Sequence, residues 1–433
     1  MTSDRTTTTP DEPINALLAG RIAAGDFPSA VYLVAEGGRV AFSGALGDAV
    51  REPARHAASV ETIYDLASLT KPLVTGLLAA RLVERGELRL DDTVGAYLPE
   101  FARGATAAVT VRRLLTHTSG LPAWRPLRVA TGGRRERVLE TIAAAGLEYA
   151  PGTRVVYSDL GFIALGLLLE KVYDAPLDES AAREIFRPLK LKRTFFRPAR
   201  AFLTGTAASE MSGNAYERGM CEAGGYEANA RPDASAVAHA GAGVDTSAAA
   251  DAGAGVDAAA DASAAADASA AAGSNAGGAW REDLIWGEVH DGNAHFLGGA
   301  AGHAGLFSNA RETLRLGEQF IASRTGLLQP ETCTLFRTNL TPALDEARSF
   351  AWQLAATPGS TAGGALPPDS FGHLGFTGTS CWIDAARARV LILLTNRTHT
   401  RTLPFANING VRRQFNTLAV AALAGDGDKR EAT

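Results

Sequence analysis

Strand signals stand at the two ends of this 433-residue chain, and helical signals fill most of what lies between. Near the start, apolar residues 30–34 and 40–42 flank Gly37-Gly38, the pattern of a β-hairpin with a glycine turn. Near the end, residues 376–383 and 389–395 read as strands. The second contains Val390-Leu391-Ile392-Leu393-Leu394 with no polar break, as a central strand covered on both faces requires. Strands from both termini can share a core by joining one sheet, with the intervening helices forming an inserted domain.

The helical part has its own periodicity. Residues 14–24 are apolar at helical spacing, and residues 69–88 are apolar on most sides, which marks a buried central helix. Pro72 is tolerated only in a first turn, so that helix starts close to Ser68. Further helices are expected at 111–116, 134–145, 160–172 and 177–186. Ser308 or Asn309 can cap another that runs to about residue 323, with Glu312 in its first turn. Val411, Phe415, Leu418 and Ala422 share one face of a closing helix.

Residues 205–279 differ in kind. Ala-Gly-Ala-Gly-Val-Asp occurs twice, from Ala240 and Ala252, and Asp-Ala-Ser phrases follow. With few large apolar side chains to offset the entropy of ordering, this stretch is expected to be a disordered insertion. The domains read from sequence are a disordered N-terminus (1–12), a sheet domain (13–66 with 280–425), a mainly helical domain (67–204), the insertion and a disordered tail (426–433).

Composition excludes several functions. A net charge of −5 gives no general electrostatic reason to bind nucleic acid or anionic membranes. No run of about 18 apolar residues exists to span a membrane. The first 13 residues lack the apolar core of a secretory signal, so the chain as written is expected in the cytoplasm, or in the periplasm if a leader precedes it. Cys221, Cys333 and Cys381 are odd in number and far apart, so a disulfide framework is not expected.

Chemistry concentrates at Ser68-Leu69-Thr70-Lys71. On a helix, residues three apart share a face, so the lysine can reach the serine oxygen. A serine hydroxyl needs a neighbour to take its proton. Only five of the 42 basic residues are lysines, the one cationic type of the two that burial can turn into a base. Downstream, Tyr157-Ser158-Asp159 precedes a buried helix and offers a phenol for proton relay. His373-Leu374-Gly375 opens the first C-terminal strand; Gly375 would let a substrate approach, and the next amide, from Phe376, could face a developing oxyanion.

Taken in order, these three motifs resemble those of the class C β-lactamase and penicillin-binding-protein superfamily. The stretch from Leu114 to Leu121, the glycine-rich stretch from Gly298 to Ser308, Val289-His290-Asp291-Gly292-Asn293-Ala294 and Leu394-Thr395-Asn396-Arg397 resemble its serine hydrolase and D-Ala-D-Ala carboxypeptidase-like branch. The resemblance implies an α/β (α+β) fold of β-lactamase/transpeptidase type, with an antiparallel sheet built from both termini, flanking helices and an inserted mainly helical domain. It also implies an acyl-enzyme on Ser68, with Lys71 and Tyr157 moving protons and the amides of Ser68 and Phe376 forming the oxyanion hole. Asp159, His373, Gly375 and Arg397 would contact substrate, and no metal or organic cofactor is required.

Two departures tilt this reading. The superfamily usually has Asn where this chain has Asp159, and a carboxylate there could pair with Lys71 and raise its pKa. Its Lys-Thr-Gly is here His373-Leu374-Gly375, which weakens the grip on a substrate carboxylate unless Arg397 supplies the charge. The expected activity is hydrolysis of a small ester or a D-alanyl amide, on a small-molecule or peptide substrate. The alternatives are a β-lactamase and a silent binding or scaffold protein that kept the fold. Oligomeric state is left open.

Overall fold

The computed structural model describes residues 11–226 and 280–431. Its strands are β1 (Ser29–Glu36), β2 (Arg39–Val50), β3 (His56–Ala57), β4 (Tyr64–Asp65), β5 (Phe195–Phe196), β6 (Leu306–Ser308), β7 (Gln353–Leu354), β8 (Phe371–Leu374), β9 (Ser380–Asp384) and β10 (Arg389–Thr395). Seven of them form one antiparallel sheet in the order β3-β2-β1-β10-β9-β8-β7. The first strand of the chain therefore lies against the last, with Leu33 opposite Ile392. Gly37 and Gly38, both at positive φ, close the β1–β2 hairpin.

The apolar run of β10 is buried from Val390 to Leu394, because helices cover both faces of the sheet. On one face Leu391 and Leu393 join Tyr32, Trp382 and Phe415, under the helices Glu12–Ala23 and Asn409–Glu431. On the other, Val390, Ile392 and Leu394 enter the main core with the helix Ala310–Gly317 and the helical region. Each such burial contributes about 2 kcal/mol, so the two-sided strand anchors the fold. A small sheet, in the order β4-β6-β5, joins the region around Ser68 to the segment ahead of residue 309.

Several boundaries differ from the sequence reading. His373-Leu374-Gly375 closes β8 instead of opening a strand, and residues 375–379 turn into β9. Gly378, at φ +104°, makes that turn possible. The helix 69–88 is divided into a short turn at Ala67–Leu69, a widened turn at Lys71–Gly76 and an α-helix at Leu77–Glu84. Asn309 is the cap of Ala310–Gly317, its Oδ1 accepting from the Glu312 amide at 2.8 Å.

The proposed insertion starts too early at 205. Ala207 N donates to Ile63 O at 2.8 Å, Arg281 Nε donates to Asn214 Oδ1 at 2.7 Å, and Ala215–Ala223 is a helix with Cys221 buried. Those polar anchors, not large apolar side chains, order residues 205–226, which is why composition missed them. The rest of that expectation, 227–279, lies outside the described residues. Of the expected disordered ends, Glu12 begins the first helix and residues 426–431 continue the last one; residues 1–10 and 432–433 lie outside the described residues. Among the described residues, no helix is long and apolar enough to cross a membrane.

Candidate active site

Chain leaving β4 is fixed by one carboxylate. Asp65 accepts the amides of Ala67 and His290, each at 2.8 Å. Ala67 is held at φ +46°, a left-handed conformation that is costly for a residue with a Cβ, directly before Ser68. Thr70 closes the turn by donating to Ala67 O at 2.6 Å and accepting from the Leu306 amide. The nucleophile candidate thus sits on a strained, tightly tied turn.

Lys71 is fully buried at the centre of the site. Its Nζ donates to Ser68 Oγ at 3.0 Å and to His303 O at 3.2 Å, and lies 2.5 Å from Asp159 Oδ1. The Tyr157 ring centroid is 4.7 Å from the same nitrogen. The i, i+3 spacing read from the sequence therefore brings Ser68 and Lys71 into contact.

Tyr157 is placed by the cap of the helix Asp159–Tyr173. Ser158 Oγ accepts from Gly161 N at 3.1 Å and donates to Pro122 O at 2.7 Å. Ser158 N donates to His117 Nδ1 at 3.0 Å, and the His117 ring packs on Tyr157 with centroids 4.5 Å apart. The Tyr157 hydroxyl is buried beside Ser68 and Lys71 without a well-aligned hydrogen bond to either.

Burial and pairing set the protonation states. Burial raises the Tyr157 pKa against the pull of Lys71, so the phenol is neutral at rest. For Lys71, burial favours the neutral amine, but Asp159 and Tyr157 outweigh it and its pKa is raised. Burial also pushes the Asp159 carboxyl above the usual carboxylate range, although Lys71 opposes this. The pair is one buried unit that shares a proton.

Opposite Ser68 stands the turn after β8. Thr377 Oγ1 donates to Asp65 O at 2.7 Å and Thr379 Oγ1 to Leu66 O at 3.0 Å, which brings the segment bearing the Phe376 amide against the segment bearing the Ser68 amide. Neither amide has a backbone acceptor among the described residues. A methyl group on Gly375 would lie 2.0 Å from Thr379 Oγ1 and 2.5 Å from Leu66 O. Glycine is needed there for the segment bearing Ser68 to approach, a reason the sequence did not give.

Two of the expected substrate contacts have other partners, and the third carries no charge. Asp159 has no exposed surface and is committed to Lys71; it does not cap its helix either, since Ser158 does. Arg397 is buried, donating from Nε to Phe376 O at 2.6 Å and from Nη1 to Ala406 O at 2.7 Å, with its guanidinium 4.8 Å over the Phe376 ring. It braces the turn after β8. His373 is buried, its Nδ1 is 2.8 Å from Leu374 O, and burial, Lys71 and Arg348 hold its pKa well below the ordinary value, so it carries no charge near neutral pH.

Sequence reasoning missed Arg348. It is 1% exposed, its Cζ is 6.0 Å from the Tyr157 ring centroid, and its field reaches both His117 and His373. No motif surrounds it; a rare buried arginine is recognisable only once the chain is folded.

Known proteins resemble this chain in sequence and in fold. The family description "Beta-lactamase" matches residues 14–411. A protein of Escherichia coli (strain K12) provisionally named D-alanyl-D-alanine carboxypeptidase is 27% identical over 86% of this chain and 79% of its own length. An N-acetylmuramyl-L-alanine amidase of Bacillus subtilis (strain 168) is 28% identical over 89% of this chain and 81% of its own. Among solved structures, a penicillin-binding protein homologue from Caulobacter crescentus superimposes with a TM-score of 0.65 at 19% identity, covering 96% of this chain and 98% of that one. EstCE1, a hydrolase with promiscuous acyltransferase activity, gives a TM-score of 0.63 at 21% identity, covering 94% and 98%.

Proposed function

The chain belongs to the β-lactamase family of serine hydrolases, and from that premise we propose that Ser68 forms an acyl-enzyme with an ester or with the amide of an alanine-containing peptide. The observation that carries the reading is the contact of Lys71 Nζ with both Ser68 Oγ at 3.0 Å and Asp159 Oδ1 at 2.5 Å. As Ser68 Oγ bonds to the carbonyl carbon, Lys71 passes a proton to Asp159 and takes the serine proton. The amides of Ser68 and Phe376 donate to the oxyanion.

Tyr157 then acts twice. As a neutral phenol it gives its proton to the leaving oxygen or nitrogen, and as the resulting phenolate it takes a proton from the hydrolytic water. Water oxygen bonds to the acyl carbon, the bond to Oγ breaks, Lys71 returns a proton to Ser68, and Asp159 returns its proton to Lys71. Each group ends as it began.

Two curated relatives named for cleaving amides at alanine support a peptide substrate. The uncharged His373 weighs against a β-lactamase, because it offers no cation to the carboxylate that β-lactams carry. A fluorophosphonate probe tests the reading. We expect stoichiometric labelling of Ser68 that is absent in Ser68→Ala, together with turnover of p-nitrophenyl esters or of peptides carrying the amides named above. A folded chain with neither labelling nor turnover would leave the scaffold reading standing.

A further inference from the structure

Tyr157 must spend part of the proposed cycle as a phenolate, in a site that water barely reaches. Polar groups face it from several elements. Ser68 and Lys71 come from the turn after β4, Asp159 from the start of its own helix, His117 from the loop after the helix Val111–Leu115, His373 from β8, and Arg348 from the chain just before β7. Asp159 disfavours the phenolate and Lys71 favours it.

The two histidines add no charge. His117 Nδ1 accepts the Ser158 amide, so its proton is on Nε2; His373 Nδ1 points at Leu374 O, so its proton is on Nδ1. Burial depresses both pKa values well below the ordinary value. Arg348 is different. Its guanidinium lies 6.0 Å from the Tyr157 ring centroid, its Nη2 pairs with Glu346 Oε1 at 2.5 Å, and its Nε has no hydrogen-bond partner among the described residues. Glu346 is 15% exposed at its side chain and also accepts from Gln353 Nε2, so water and that bond blunt its field more than they blunt that of Arg348.

We propose that Arg348 is a positioning residue for hydrolysis: its guanidinium stabilises the Tyr157 phenolate of the acyl-enzyme, supplying the positive charge that His373 does not. The inference rests on the acyl-enzyme reading above. When Tyr157 has given its proton to the leaving group, Lys71 Nζ lies 4.7 Å and Arg348 Cζ 6.0 Å from its ring centroid. It is quenched when water transfers a proton to it, so no charge is left over at the end of the cycle.

Burst kinetics on the full chain test this, with p-nitrophenyl acetate as an uncharged substrate. In Arg348→Gln the initial burst of p-nitrophenolate should persist, because Ser68 still acylates. Turnover after the burst should fall about tenfold at pH 7, and its acid limb should move up by about one pH unit. Arg348→Lys should recover part of both. Should removing Arg348 unfold the chain by stranding Glu346, the double variant Arg348→Gln/Glu346→Gln removes the pair together and is read the same way.

Unchanged post-burst turnover and an unmoved acid limb would overturn the proposal while leaving Ser68 in its role. So would a loss confined to the KM of carboxylate-bearing substrates, which would assign Arg348 to substrate binding. A wild-type chain with neither a burst nor labelling of Ser68 by the fluorophosphonate would overturn the acyl-enzyme reading, and this inference with it.

Discussion

Lys71 Nζ and Asp159 Oδ1 are 2.5 Å apart, and neither side chain has any exposed surface. An asparagine at the same position could orient a lysine but could not take its proton. With an aspartate, the free enzyme holds one proton across two groups, and the second proton binds only when Asp159 is protonated against its ammonium partner. Because burial raises the Asp159 pKa, that event falls above the ordinary carboxylate range.

Asp159→Asn should therefore move the acid limb of kcat/KM to higher pH. In the variant only Lys71 titrates, from a reference near ~10.4 that burial lowers, and the neutral amine must now form without a carboxylate to receive its proton. We expect a shift of at least about one unit and a loss of about tenfold at pH 6. A pH–rate profile identical to wild type would show that Asp159 handles no proton.

Histidine titration should be silent. His117 and His373 are both buried, and Lys71 and Arg348 further disfavour their charged forms, so each is already neutral well below pH 6.5. Raising the pH through 6.5 changes the charge of neither. His373→Gln should leave every inflection of the kcat/KM profile between pH 6 and 7.5 in place, whatever it does to the height. Disappearance of an inflection in that variant would mean that His373 is protonated in the working enzyme.

Gly375→Ala tests the seam between the turn bearing Ser68 and the turn after β8. The added methyl would overlap Thr379 Oγ1 and Leu66 O, and the backbone oxygen cannot move without displacing Ala67 and Ser68. Overpacking of this kind costs about 2 kcal/mol, and the displacement separates the two amides proposed for the oxyanion. Thermal melts should show a lower Tm, and kcat should fall about a hundredfold, more than KM changes. A variant with native Tm and kcat would mean that the seam is looser than these distances require.

How legible the site was depends on the range over which each contact acts. Ser68 and Lys71 are one helical turn apart, so spacing alone predicted their contact. Gly37-Gly38 predicted its hairpin for the same reason, since a turn is a local object. Asp159 was recognised as a possible partner of Lys71 through its departure from a familiar pattern, yet its complete burial came from Ala123 and the packing of its helix, which the motif does not encode. Arg348 was invisible because its relation to Tyr157 crosses nearly two hundred positions of chain, and its neighbours in sequence are ordinary. The division of the helix expected at 69–88 was missed because Ala67, just ahead of it, adopts a conformation that alanine seldom takes, held by Asp65 from the preceding strand.

The buried pair also makes a stability prediction that a surface lysine would not. Lys71→Ala removes the counter-ion from a carboxylate with no exposed surface, and Asp159 must then be protonated or remain as an unpaired buried charge. We expect a loss of about 3 kcal/mol in folding free energy, far more than trimming an exposed lysine would cost. In Lys71→Ala/Asp159→Asn the stranded charge is gone, and most of the stability should return although activity does not. Urea denaturation of the two single variants and the double variant closes the cycle and yields the coupling between the residues. Additive losses, with no recovery in the double variant, would mean that the two groups do not share a proton or a charge in the folded protein, and the relay from Ser68 through Lys71 would lose its terminus.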